Sequence, residues 1–286
     1  MYPAQFEYHK AGTVKEAVDL LAKYRDEAKL LAGGHSLLPA MKLRLAQPKH
    51  LIDIGKVSGL AGIKEEGGTL VIGAMTTHYA IESSAVLKSK CPLLPEVAGH
   101  IGDPMVRNLG TLGGSLAHAD PAADWPAAVI ALGAELVAEG PKGKRTIKVD
   151  DFFKGLLTTA LADDEILTEI RVPACGANVK CAYAKFPHPA SRFAVVGVAA
   201  VLTLDGGKIS KASIGITGAG TKATRAKGVE AAIAGKAADA ASIQAAASSA
   251  ADGVDVQADL QGSVEYKQHL LRVFAKRAME AAAAKK

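Results

Sequence analysis

Residues 29–36 read Lys-Leu-Leu-Ala-Gly-Gly-His-Ser and decide the fold of the N-terminal part of the chain. The run from Lys29 to Ala32 predicts a short buried strand, and Leu37 to Ala46 predicts a helix that closes before Pro48. Two glycines between a strand and a helix let backbone N–H groups approach a ligand closely, and the helix start favours negative charge. The segment therefore predicts a strand–turn–helix unit that can bind an anionic group.

The sequence around this unit alternates between helix and strand signals. Thr13 and Glu16 have the spacing of a capping box at a helix start. His50 to Ile54 predicts a second strand. We therefore expect a small α+β unit over residues 1–55.

The rest of the chain predicts two further units. Over residues 56–175 we expect a hairpin, a helix at residues 77–87, a helix at residues 125–132 and a strand at residues 166–172. Pro173 to Gly176 is the best linker candidate. Residues 176–286 predict a small α+β domain with a three-stranded sheet, an alanine-rich helical segment and a last helix at about residues 263–284.

Composition excludes several classes of protein. The chain has 286 residues, 49% hydrophobic residues and a formal charge of +5. It is too apolar for intrinsic disorder, has no apolar run of about 18 residues for a membrane span, and lacks a signal-peptide pattern at its N-terminus. Its Lys and Arg residues are scattered rather than clustered, which disfavours nucleic-acid binding. Three cysteines provide no metal or disulfide framework and fit a reduced, intracellular compartment.

A second glycine-rich segment, Asn108 to Ser115, combines glycines with hydroxyl groups. With the first it could clasp a diphosphate from two sides. Neither segment matches the G-x-G-x-x-G pattern or the P-loop, so a Rossmann or P-loop site is disfavoured. Taken alone, a Gly-Gly pair marks a tight turn more often than a ligand site.

In combination these motifs resemble one family. The Ala-Gly-Gly-His-Ser loop, the strand Leu51 to Ile54, the segment Arg107 to Ala117 and the Asp-Pro-Ala-Ala-Asp run at residues 120–124 are similar to the FAD-binding medium subunit of molybdenum-containing hydroxylases, especially the carbon monoxide dehydrogenase flavoprotein branch. The pattern from residue 206 to the C-terminus extends the resemblance over essentially the whole chain. It implies an α+β fold: a two-subdomain FAD-binding region (PCMH-type), residues 1–55 and 56–175, followed by a C-terminal flavoprotein domain, residues 176–286.

The resemblance also implies a set of cofactor-binding residues. They are Ala32, Gly33, Gly34, His35, Ser36, Leu37, Ile101, Gly102, Val106, Asn108, Gly110, Thr111, Gly113, Gly114, Ser115, Ala117, Asp120, Ala123, Asp124, Ile166, Leu167, Lys185 and Phe193. The two glycine segments would wrap the FAD diphosphate, which needs converging N–H donors rather than a stack of lysines. Ile101, Gly102 and Val106 would lie along the flavin or ribityl chain. Ile166 and Leu167 would support the adenine or the ring system.

Four other positions carry implied roles. Asp124 resembles the acid that accepts hydrogen bonds from the adenosine ribose. Asp120 is either a second contact there or a turn residue. Lys185 matches a basic residue at the flavin pyrimidine edge, the alternative being a surface lysine on a strand edge. Phe193 matches an aromatic on one flavin face, where carbon monoxide dehydrogenases tend to have Tyr.

The histidines give no metal or catalytic site in this interpretation. A related flavoprotein superfamily attaches FAD through a histidine in a Gly-Gly-His loop, but the resemblance implies noncovalent FAD and contacts from His35 to phosphate. We expect His78 and His118 to be surface or turn residues, because no second ligand lies at metal spacing.

The cysteine count implies partner subunits. Each iron–sulfur cluster needs four cysteines, and this chain has three in all. The resemblance implies an electron-transfer oxidoreductase subunit beside a small [2Fe–2S] subunit and a large molybdopterin subunit. These would form a dimer of heterotrimers (a heterohexamer) in the cytoplasm, with a quinone, cytochrome or NAD as acceptor and through it contact with the inner face of the membrane. Two alternatives remain open: a free-standing FAD-dependent oxidase or reductase, and a flavin-free assembly module.

Overall fold

The N-terminal part of the chain is a three-stranded parallel sheet with helices against it. The computed structural model describes residues 1–285. The elements here are β1 (Glu7–Lys10), α1 (Val14–Tyr24), a 3₁₀ turn (Arg25–Glu27), β2 (Ala28–Leu31), α2 (Leu37–Lys42) and β3 (His50–Asp53). β3 lies in the centre and pairs with both β1 and β2 in parallel. This arrangement places the loop after β2 at one end of the sheet.

Local sequence explains where the first two helices begin and end. At the start of α1, the Thr13 hydroxyl accepts from the Glu16 N–H at 3.1 Å. The Glu16 carboxylate accepts from the Gly12 N–H at 2.7 Å, so the predicted capping box is present but returns one residue earlier than usual. The predicted extension of α2 to Ala46 is wrong: the helix ends at Lys42, because Arg44 adopts a left-handed backbone with φ of 59°.

The middle of the chain forms a five-stranded antiparallel sheet in the order β4-β5-β10-β6-β7. Its elements are β4 (Ile63–Glu66), β5 (Thr69–Gly73), α3 (His78–Ser83), α4 (Ala85–Lys90), α5 (Leu93–Gly99), α6 (Pro104–Leu109), α7 (Leu112–His118), α8 (Asp124–Leu132), β6 (Glu135–Gly140), β7 (Gly143–Lys148), a 3₁₀ turn (Val149–Asp151), β8 (Phe153–Gly155), β9 (Thr158–Thr159) and β10 (Ile166–Pro173). β8 and β9 form a separate two-stranded ladder. β10, although last in sequence, is the central strand of the large sheet.

Two helix predictions in this part need correction. The single helix predicted over residues 77–87 is two helices, because Ser84 has an extended backbone and its side chain caps α4 by accepting from the Leu87 N–H at 3.2 Å. The second glycine-rich segment is not simply a loop: from Leu112 onward it is α7, with Gly113 and Gly114 inside the first turn.

The C-terminal part is a four-stranded antiparallel sheet in the order β11-β12-β13-β14, covered by helices. Its elements are β11 (Val179–Pro187), β12 (Ala194–Asp205), β13 (Lys208–Thr217), β14 (Thr224–Arg225), α9 (Lys227–Ile233), α10 (Ala240–Ala247) and α11 (Val264–Ala283). Three long strands match the predicted sheet, and β14 adds a two-residue fourth. Leu271 and Phe274 of α11 are buried in the core that the helices share with this sheet.

Helix α8 joins the middle and C-terminal parts. All nine of its residues are buried. Gly215 on β13 lets the strand touch this helix, because a Cβ there would lie 2.0 Å from the Ala127 carbonyl oxygen. Within residues 1–285, no helix combines the length and apolar character needed to cross a bilayer.

Candidate functional site

The loop between β2 and α2 offers a row of backbone N–H groups. Among residues 1–285, no hydrogen bond is donated by the N–H groups of residues 33–37. The carbonyls of Gly34 and Ser36 accept from the N–H groups of Leu38 and Ala40, so the backbone turns into α2 while those donors stay open. The loop contains no Lys or Arg. Because backbone donors need partners, this row suits a phosphate-type anion.

Gly33 brings this loop into direct contact with the second glycine segment. A Cβ at Gly33 would lie 2.2 Å from the Leu109 carbonyl oxygen and 2.8 Å from the Gly110 Cα. A Cβ at Gly114 would lie 3.4 Å from the Ala32 Cβ. The two segments that were predicted to act together are therefore adjacent, and glycine is what permits the distance.

The second segment has fewer open donors than the first. The Leu112 N–H donates to the Thr76 carbonyl at 3.0 Å, and the Gly113 N–H to the Ala74 carbonyl at 2.8 Å. The Gly114 N–H donates to the Thr111 hydroxyl at 3.1 Å, which caps α7. Gly113 is also a packing requirement, because a Cβ there would lie 2.4 Å from the Ala74 Cβ. What this segment can offer a ligand is mainly hydroxyl groups, including that of half-buried Ser115.

His78 supports this segment from inside, and its predicted surface position is wrong. Its ring is buried against Gly110, where a Cβ would lie 2.7 Å from Nε2. The Trp125 indole donates to His78 Nδ1 at 3.0 Å, so Nδ1 is an acceptor and the neutral ring carries its proton on Nε2. Burial lowers the pKa of His78 to about 4, with smaller contributions from His35 and Arg107.

Asp124, Tyr183 and Lys185 form a buried polar cluster. The Tyr183 hydroxyl donates to Asp124 Oδ1 at 2.5 Å, and the Lys185 ammonium donates to Oδ2 at 2.8 Å. Lys185 also donates to the His100 carbonyl at 3.1 Å, and its side chain is only 2% exposed. The surface-lysine alternative is therefore wrong, and the two residues predicted to bind opposite ends of FAD contact each other.

The environment of the cluster perturbs its titration. Burial raises the pKa of Asp124, and the Lys185 ammonium and the Tyr183 hydroxyl oppose that shift. Burial, then the Asp124 charge, raises the pKa of Tyr183 well above its usual range. Burial lowers the pKa of His100, whose ring meets Tyr183 edge-on at 5.5 Å. Sequence reasoning missed Tyr183, although its two-residue spacing from Lys185 on β11 places both side chains on one face.

Arg107 fixes the turn that precedes α6. Its guanidinium donates to the Ile101 carbonyl at 3.1 Å and lies 2.7 Å from the Glu82 carboxylate. Gly102 has a left-handed backbone with φ of 51°, and a Cβ there would lie 2.8 Å from Val106. Ile101, Gly102 and Val106 are half-buried around this turn. Nearby, the Asn108 amide donates to the Pro104 carbonyl at 2.7 Å.

The remaining predicted residues are spread between core and surface. Ile166 and Leu167 are buried on β10, Ile166 in the core of the N-terminal part and Leu167 in that of the middle part. Asp120 accepts from the Ala122 N–H at 2.8 Å, as a turn residue does. Five positions complete the set: His35 and Ala117 are exposed, Leu37 is half-buried, Ala123 is buried, and Phe193 is 44% exposed beside a pocket.

The start of α8 links the two halves of the site. Asp124 reaches Lys185 on the C-terminal sheet, while its neighbour Trp125 reaches His78 behind the glycine segments. Thr217 holds the preceding loop by donating to the Pro121 and Ala123 carbonyls, each at 2.7 Å. The arrangement sets an open anion-binding loop and a buried, compensated lysine at two ends of one rigid connection.

Known proteins match this chain over its whole length. Residues 4–175 match the family described as the FAD binding domain in molybdopterin dehydrogenase, and residues 181–282 match the CO dehydrogenase flavoprotein C-terminal domain. The carbon monoxide dehydrogenase medium chain of Hydrogenophaga pseudoflava is 45% identical over 282 residues, which is 99% of this chain and 98% of the relative. The alpha subunit of the 6-hydroxypseudooxynicotine dehydrogenase complex of Paenarthrobacter nicotinovorans is 35% identical over 280 residues, covering 98% and 95%.

A solved structure agrees with the sequence matches. It is the carbon monoxide dehydrogenase of Hydrogenophaga pseudoflava that lacks the Mo-pyranopterin moiety, with a TM-score of 0.97, 47% identity and 99% coverage of both chains. The open N–H row of residues 33–37 fits the diphosphate of the cofactor that gives this family its name. On these grounds the chain belongs to the FAD-binding medium subunits of the molybdopterin dehydrogenases, the family that includes the carbon monoxide dehydrogenase medium chains.

Proposed function

We propose that the chain holds FAD noncovalently and transfers electrons from the [2Fe–2S] clusters of a small subunit to an external acceptor. The observation that carries the proposal is the row of open N–H groups at residues 33–37, because a doubly negative diphosphate needs several converging donors. When bound, FAD supplies the exchange between one-electron and two-electron chemistry that such a transfer requires.

The chain's own residues bind and orient in this proposal. Residues 32–37 would hold the diphosphate, with hydroxyls of the second glycine segment on its other side. Lys185 would face the flavin pyrimidine edge and favour negative charge there. Asp124 and Tyr183 keep the Lys185 ammonium in one position, since each shares the same buried carboxylate. Phe193 would cover one flavin face.

The proposed assembly is a dimer of heterotrimers with the small subunit and a large molybdopterin subunit. The primary substrate would be oxidised on the large subunit, so relatives that differ in substrate share this chain's fold. We place the complex in the cytoplasm. The acceptor is a quinone, a cytochrome or NAD, and the first two would bring the complex to the inner face of the membrane.

A visible spectrum with metal analysis of the co-purified complex tests the proposal. The expected result is flavin plus iron–sulfur absorption, with molybdenum, and flavin carried by this chain when the subunits are separated. A chain that turned over a small alcohol or NADH alone would support a free-standing oxidoreductase instead. A chain that stayed colourless after incubation with excess FAD would point to an assembly module.

A further inference from the structure

Three chemistry-bearing side chains meet on the N-terminal sheet, away from the residues discussed above. Glu7 and His9 are two apart on β1 and so share a face, and His50 lies opposite Glu7 on the paired strand β3. His9 Nε2 is 3.1 Å from His50 Nδ1. One oxygen of Glu7, Oε2, is 3.8 Å from that His9 nitrogen and 3.4 Å from that His50 nitrogen. Two imidazoles and a carboxylate thus converge on one point.

The separations suit a metal ion. They place a point about 2.0 Å from all three atoms, inside the triangle that the atoms form, and Zn²⁺ lies at about 2.0–2.1 Å from imidazole nitrogen and about 2.0–2.2 Å from carboxylate oxygen. Nitrogen and oxygen ligands of this kind are typical of Zn²⁺ and neighbouring divalent transition metals. A fourth position above the triangle would remain for water.

The surroundings favour a fixed site. The Tyr24 ring stacks on His50 with centroids 3.6 Å apart and on His9 at 5.1 Å, which limits the rotation of both imidazoles. The His9 and His50 side chains are 22% and 13% exposed, and Glu7 is 71% exposed. The ligands are therefore held from below and reachable from solvent. Lys23, over the Tyr24 ring, is a neighbouring cation that an incoming ion must tolerate.

We propose that Glu7, His9 and His50 bind one Zn²⁺-type divalent ion that clamps β1 to β3. β3 is also the partner of β2, the strand that leads into the loop of residues 33–37. The ion would thus stabilise the sheet that carries the anion-binding loop, without touching the ligand of that loop. Sequence analysis missed the site because its two histidines are 41 residues apart.

Calorimetric titration of the EDTA-treated full chain with ZnCl₂ at mildly alkaline pH tests the proposal. We expect one equivalent to bind, with affinity weaker by roughly tenfold or more in Glu7→Gln and in His50→Asn, since even outer partners of metal ligands are typically worth 10–100-fold. His269→Asn, at an exposed histidine of α11, is the matched control and should bind as the wild type does. Because Glu7 is exposed, Glu7→Gln should fold normally.

A thermal melt gives the second readout. Zn²⁺ should raise the melting temperature of the wild type and of His269→Asn but not of Glu7→Gln, because a ligand that binds only the folded state stabilises it. A hydrogen-bonded histidine pair without metal affinity would give no saturable binding, and the proposal would then be wrong. Equal Zn²⁺ affinity in Glu7→Gln, His50→Asn and the wild type would also overturn it. FAD content, measured in parallel, reports separately on the proposed function.

Discussion

Gly33 is the position where one methyl group should disturb cofactor binding most directly. In Gly33→Ala the new Cβ would lie 2.2 Å from the Leu109 carbonyl oxygen and 2.8 Å from the Gly110 Cα. Comfortable contacts between such atoms begin at about 3.5 Å, so the loop must retreat by about 1 Å. Overpacking of this kind costs about 1–3 kcal/mol. If FAD binding requires the two glycine segments to stay in contact, its affinity should fall about 5- to 100-fold.

Quenching of flavin fluorescence on titration into the apo-chain measures this affinity. Gly155→Ala is the matched control, because nothing lies within 4 Å of a Cβ at that position and its backbone φ is not left-handed. The control should bind FAD as the wild type does. Wild-type affinity in Gly33→Ala would refute the reasoning, even if the variant were less stable, because the strain would then not reach the cofactor.

Three further predictions follow from the same geometry. Asp124→Asn leaves the buried Lys185 ammonium without its counter-charge and should lower the free energy of unfolding by about 3–5 kcal/mol in urea titrations; unchanged stability would contradict the ion-pair description. The depressed pKa of His78 means that the unfolded chain takes up a proton as pH falls below 6.5 while the native ring does not until about pH 4. This residue alone should cost about 3 kcal/mol of stability across that window, and His78→Gln should flatten the pH dependence; an identical slope would sink the assignment. Acid precipitation of the chain should release all of its flavin into the supernatant, whereas flavin retained on the pellet would mean a covalent bond at His35.

Local signals predicted the elements best where one residue type has one structural use. The Thr13–Glu16 pair predicted the start of α1, and the alanine-rich segment predicted the helices α9 and α10. Helix ends failed where the decision lies in the backbone. The left-handed Arg44 and the capping Ser84 carry no strong sequence signal, so α2 was predicted too long and α3 and α4 were merged.

The candidate site was predictable as a set of segments and not as a set of contacts. Nothing in the sequence places His78 behind Gly110 or Tyr183 on Asp124, because those contacts join residues from distant elements. The glycines at residues 113 and 114 were interpreted as ligand-binding, yet the structure gives both a packing reason. The domain limits at residues 55 and 175 and the individual cofactor contacts stay predictions.

The position of β10 has a consequence for how the chain is made. β10 pairs with β5 on one side and β6 on the other, so it alone connects the hairpins β4–β5 and β6–β7. Until residue 173 has left the ribosome, those hairpins have no common hydrogen bonds and each presents an unpaired edge. The middle part of the chain should therefore complete its sheet late, after α8 is already synthesised, and folding intermediates should be prone to edge-to-edge aggregation. A chaperone that shields β5 and β6 during that interval would matter more to yield than one that acts on the finished subunit.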